Sequence, residues 1–115
     1  MSVTRIIHVE QSVDVFSEGI ADHGTAEYIA SNDITVAVDA KWSEVQYSTN
    51  STGMDTRITW ELRDWTVLAV YLNGVQLTHD NMPNDFPMQT VLSAVAGKSA
   101  REQLEQLGPR ARRKR

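Results

Sequence analysis

Residues 56–80 read TRITWELRDWTVLAVYLNGVQLTHD, and the way this stretch divides into strands decides the fold. Ile58, Trp60 and Leu62 alternate with Arg57, Thr59, Glu61 and Arg63. A side-chain period of two puts the apolar set on one sheet face and the polar set on the other. After Arg63-Asp64 the parity changes, and Trp65, Val67, Ala69 and Tyr71 share a face. Leu68, Val70 and Leu72 make the opposite face apolar as well, the pattern of a central strand covered on both sides.

The parity change has two physical readings. A two-residue turn would fold 56–62 back on 65–72, whereas a β-bulge in one long strand would shift the side chains by one position. Arg-Asp lacks the Gly or Asn that a primed turn favours, so the bulge is the preferred reading. Asn73-Gly74 is a different case. Both residues tolerate φ > 0, which predicts a type I′ turn joining 70–72 to 75–77.

Upstream, Thr4 to Val15 reads as a strand with Ile7, Val9, Val13 and Val15 on one face and His8, Glu10, Ser12 and Asp14 on the other. One buried and one wet face is the habit of an antiparallel sheet. Residues 17–25 hold two glycines and read as a loop. Residues 26–30 fit either a strand or one helical turn. Asp33 to Trp42 alternates again, with a parity shift expected near Ser43-Glu44, after which Val45 and Tyr47 share a face. Residues 48–54 read as a connecting loop.

Downstream, residues 79–85 read as a loop, with Asp85 as helix N-cap and Pro87 in the first turn. From Met88 to Leu107 the apolar and small residues recur at helical spacing, interrupted only by Gly97, which can kink or split a helix. Gly108-Pro109 is a stop signal. The expected fold is α+β: an antiparallel sheet of five or six strands with one C-terminal α-helix packed on one face. Residues 1–108 form a single domain in this reading, and 109–115 a disordered basic tail.

At 115 residues, 41% hydrophobic and 23% charged, the chain has the balance of one globular domain. No apolar run approaches the ~18 residues that span a bilayer, so no membrane partner is expected. With no cysteine and no apolar leader core, the expected setting is cytoplasmic, or a virion if a phage encodes it. The net charge of −4 hides an asymmetry. Five of the eleven cations, Arg110, Arg112, Arg113, Lys114 and Arg115, lie in the tail, which leaves six against fifteen carboxylates upstream, a net −9.

Motifs for chemistry are sparse. Ala96-Gly97-Lys98-Ser99 ends like a phosphate-binding loop, but Leu92 stands where that motif needs its first glycine, and the segment falls within the expected helix. His8, His23 and His79 lack the local spacing of a zinc site, so no metal is expected. There is no G-x-S-x-G elbow and no thiol, hence no catalytic residues and no cofactor are assigned. Trp42, Trp60 and Trp65 read as sheet-face packing rather than a base-stacking platform, because Trp60 aligns with Ile58 and Leu62.

Two charged features remain. Glu10, Asp14, Glu18, Asp22 and Glu27, with Asp33 and Asp39 further on, suggest an acidic face for a protein partner. The tail cations suggest contact with nucleic acid or another polyanion. The leading expectation is therefore a non-enzymatic protein-interaction module. A small phage or mobile-element accessory protein is one such class, resting on size and the lack of a site signature. A nucleic-acid-associated assembly protein using the tail comes second, and a small enzyme third. Homo-oligomerisation is also open, since a doubly apolar strand can be covered by a second subunit.

Overall fold

The computed structural model describes residues 3–48 and 56–109. Its strands are β1 (Val3–Asp14), β2 (Ile34–Ser48), β3 (Thr56–Leu72) and β4 (Val75–Gln76). Its helices are α1 (His23–Ser31), α2 (Met88–Val95) and α3 (Lys98–Leu107). The strands form an antiparallel meander in the order β1-β2-β3-β4. This is the expected α+β class with an antiparallel sheet. The five or six strands and the single C-terminal helix are corrected to four strands and three helices.

The strand count falls because a break of parity is not a break of strand. Residues 56–72 are one continuous strand, and pairing with β2 passes from Lys41–Asp64 to Trp42–Leu62, which leaves Arg63 as the extra residue of a bulge. A second bulge follows, where Ala37–Ala69 gives way to Val38–Val67 and Leu68 is the extra residue. Two bulges in one strand reset the apolar parity twice. The parity shift expected near Ser43-Glu44 is absent: β2 runs through without an extra residue. The central strand is β2, not 65–72, and Leu68 stands 51% exposed.

One face of the sheet is packed. Val9, Gln11 and Val13 of β1, the alternate residues Ile34 to Trp42 of β2, and Leu62 and Val70 of β3 are buried against Ile29 of α1, Phe86, Val91 and Val95, and Ala100 and Leu104 of α3. Trp42 belongs to this core, and Trp60 and Trp65 pack against it, as the alternation implies. The other face, with rows such as His8-Lys41-Asp64 and Ser12-Ala37-Ala69, carries no helix among the described residues.

The ambiguous segment 26–30 is helical, and α1 begins as early as His23 within the expected loop. Asp22 explains this: its Oδ1 accepts from the Gly24 N–H at 3.2 Å and its Oδ2 from the Thr25 hydroxyl at 2.6 Å, an N-cap that offsets a short, weakly amphipathic sequence. Tyr28 of α1 meets Phe86 edge-to-face at 6.1 Å. Loss of hydration holds the Tyr28 hydroxyl above the ordinary phenol range, with the Asp85 charge adding to it.

The expected 88–107 helix is split. Gly97 is extended (φ −94°, ψ −174°) and opens α3, while the Trp65 indole N–H donates to the Val95 carbonyl at 2.7 Å and satisfies the end of α2. The split lets Val91/Val95 and Ala100/Leu104 both reach a twisted sheet that one straight rod could not follow. Pro87, not Asp85, occupies the N-cap of α2, with no side-chain cap bond. The type I′ turn is present: Asn73 has φ 52° and Gly74 φ 85°, and Leu72 pairs with Val75. Gly108 (φ 69°) ends α3 with its N–H on the Leu104 carbonyl.

Candidate functional site

Between Arg5 and Lys41 the chain holds seven carboxylates and neither lysine nor arginine. The meander decides where they go. β1 ends and β2 begins at the same end of the sheet, joined by loop 15–22 and α1, so Asp14, Glu18, Asp22 and Asp33 gather at one pole. Asp14 and Glu18 line a cleft of about 400 Å³ on one side of the loop; Lys98 and Ser99 of α3 stand across it. With Asp33 they also line a second cleft, of about 380 Å³, on the α1 side. Phe16, between them in sequence, is 51% exposed.

The five expected partner-binding residues are thus placed unequally. Asp14 and Glu18 share both clefts, and Asp22 follows on the same loop as the cap of α1. Glu27 is exposed on α1. Glu10 lies two strand repeats from Asp14 on the open sheet face, opposite Asp39 and beside a depression of about 320 Å³ that also includes Asp33 and Tyr71. The Thr25 hydroxyl bond, assisted by the Gly24 N–H, holds the Asp22 carboxyl below its ordinary value of 3.8. Asp22 therefore stays ionised to lower pH than an ordinary aspartate.

His8 and Glu10 share the open face, and His8 Nδ1 meets Asp39 Oδ2 at 3.0 Å. Among the described residues no three His, Asp or Glu side chains converge to hold a metal ion. The AGKS segment is placed differently from expectation. It opens α3 instead of lying within a helix, but it follows a helix and not a strand, so the context of a phosphate loop is still missing. The expected polyanion-binding residues Arg110, Arg112, Arg113, Lys114 and Arg115 lie outside the described residues. No helix among the described residues is long and apolar enough to cross a membrane.

Sequence reasoning missed a second feature at the opposite pole. The sheet outruns its helices: rows Glu44–Trp60 and Gln46–Ile58 continue the packed face beyond α3 as an arm. Ile58 is 57% exposed there, and the Arg5 guanidinium lies over the Trp60 ring at 6.0 Å. At the base of the arm a cleft of about 420 Å³ is lined by Trp42, Trp60, Leu62, Arg63 and Arg101, with Glu61 and Glu105. Trp42 is 3% exposed and its indole N–H has no acceptor. The signal available in sequence was strand length, since β3 runs on past what a single helix covers.

Side chains occupy single positions on the two sheet edges. The Gln103 amide of α3 accepts from the Asp14 N–H and donates to the Asp14 carbonyl, both at 2.8 Å, in the manner of a short strand on the β1 edge. On β3, Asp64 accepts from the Trp65 N–H at 2.8 Å and Arg101 donates to the Leu62 carbonyl at 3.1 Å. With two bulges besides, these positions resist strand addition. Compared with known proteins, the chain matches no family model, no curated protein and no solved structure.

Proposed function

We propose that the protein is a non-enzymatic interaction module whose acidic pole, centred on loop 14–22, binds a cationic protein surface. The observation that carries the reading is the concentration of Asp14, Glu18 and Asp33 around one exposed aromatic, Phe16, with Asp22 further along the same loop. An apolar anchor beside several carboxylates, with Lys98 as the cation that lines one of the same clefts, has the anatomy of a contact surface: the anchor supplies affinity, and the charge supplies steering and selectivity.

The experiment is an NMR titration of the labelled chain with a Lys/Arg-rich peptide at low and high salt. Amide shifts confined to residues 13–33 and suppressed by salt are the expected result. Shifts scattered over the surface, or none, would refute the reading. Glu18→Lys with Glu27→Lys should abolish the response while leaving the Asp22 cap intact. A second reading rests on the five cations of 110–115, which suit nucleic acid. It predicts salt-dependent oligonucleotide binding that is lost on deleting 109–115.

A further inference from the structure

Along the arm the outer edge of β3 pairs with no strand among the described residues, since β4 takes only Tyr71 and Leu72. The Leu62 carbonyl accepts from Arg101 at that edge, so the peptide groups of Leu62 point away from β2. Peptide direction alternates along a strand, and the register of β3 on β2 is unbroken from 56 to 62. The N–H and carbonyl groups of Trp60 and Ile58 therefore point outward too. Among the described residues nothing bonds to them.

This segment is complementary to itself. Residues 57–61 read Arg-Ile-Thr-Trp-Glu. Laid antiparallel against a second copy with Thr59 facing Thr59, they set Ile58 against Trp60 and Arg57 against Glu61, each pair made twice. Ile58 and Trp60 continue the packed face and Arg57 and Glu61 the open one, so apolar and charged pairs fall on separate faces. The backbone agrees with the side chains: Ile58 and Trp60 carry the outward groups, and each can exchange both hydrogen bonds with the residue it faces. We propose that the protein forms a twofold dimer by antiparallel pairing of the β3 edge at residues 57–61, which joins two sheets into one.

Other twofold registers fail. Centring the pair on Arg57 or on Glu61 sets like charges directly opposite, which is destabilising. Centring on Trp60 faces Arg57 with Arg63 and needs the Leu62 carbonyl that Arg101 holds. Centring on Ile58 parts Arg57 from Glu61. The Arg63 bulge and the Arg101 contact close the edge just beyond Glu61, which confines pairing to this segment. Its side chains are available. Arg57 is exposed and has no ion pair among the described residues, while Glu61 is exposed and meets Arg63 through Oε1 at 3.2 Å. Ile58, 57% exposed in the single chain, gains Trp60 of the second copy as its cover. The same surface on both copies makes an isologous contact, so assembly stops at two. The acidic pole takes no part, and the two readings stand or fall separately.

The test is sedimentation velocity on the full chain over a concentration series. The wild type is expected to pass from monomer to dimer and no further. Arg57→Glu and Glu61→Arg each turn both cross-strand ion pairs into like-charge pairs, and each is expected to raise the dimer dissociation constant about tenfold or more. Both substitutions in one chain restore opposite charges and return the constant toward the wild-type value. An equimolar mixture of the two single variants does the same as a mixed dimer. A second readout needs no variant: amide exchange at Ile58 and Trp60 slows as concentration rises, and that at Thr59, which faces β2, changes less. A wild type that stays monomeric at every concentration, or a dimer that neither single reversal weakens, overturns the proposal.

Discussion

Leu104→Ala tests the placement of α3, on which both poles depend. Leu104 is fully buried (0% exposed), facing the sheet one turn after Ala100. Truncation removes three carbon atoms, about 2.4 kcal/mol at the usual transfer value for each. Sheet residues of the same core, such as Val9 and Ala40, are held by strand pairing, which limits collapse into the gap. The residual cavity therefore raises the expected loss to about 3–4 kcal/mol. Over 115 residues the unfolding entropy is about 0.24 kcal/mol/K, which lowers Tm by about 12–16 °C. The assay is urea unfolding followed by tryptophan fluorescence, with Leu107→Ala as the internal comparison. Leu107 is 47% exposed and its truncation should cost less than about 1 kcal/mol. Equal costs at the two positions, or a Leu104 cost below about 1 kcal/mol, would refute this packing of α3.

Other predictions follow from single contacts. Gln103→Ala removes two hydrogen bonds from the β1 edge and should cost about 1–2 kcal/mol, with faster amide exchange at Asp14 as the specific readout. Gln103→Glu keeps the acceptor but loses the donor, so exchange at Asp14 should be less affected than in the alanine variant. Gly74→Ala places a Cβ at φ 85° and should cost about 1 kcal/mol, while Asn73→Gly should be tolerated better. The Asp22 carboxyl has a folded pKa depressed below its ordinary 3.8. Its contribution is therefore fully present above that value and is lost as pH falls through the depressed folded pKa. Asp22→Asn should accordingly be less stable than wild type at neutral pH and indistinguishable from it in strong acid, as read by urea midpoints across a pH series.

The elements most legible in the sequence were those fixed by local chemistry. Asn73-Gly74 dictates its own backbone signs and so marks the hairpin. Gly108-Pro109 ends α3 for the same kind of reason, and the alternation of Ile34 to Trp42 marks a half-buried strand. Arg63-Asp64 was legible too, because the residues of a primed turn are missing there. What misled was a rule applied alone. A period break looks the same at a bulge, at a turn, or where a strand leaves the cover of its helices, and only the pairing register tells these apart. Asp85 has the chemistry of a cap, yet the chain turns again at Phe86 and Pro87, whose backbone positions lie outside any local pattern.

The candidate site divides in the same way. The excess of carboxylates between Arg5 and Lys41, the cations of the tail and the lack of any catalytic spacing are properties of the one-dimensional chain. So is the period that makes an antiparallel sheet with helices on one face. Tertiary structure alone decided that β1 and β2 bring Asp14, Glu18 and Asp33 to one end, that β2 is the central strand, and that Gly97 divides the last helix. It alone produced the arm, because the place where a sheet runs past its helices depends on how long each element is and how they are aligned. Local preferences act over a few residues through backbone sterics and side-chain period. A pole and a groove about 40 Å apart on the same strands are set by register, which long-range packing fixes as a whole.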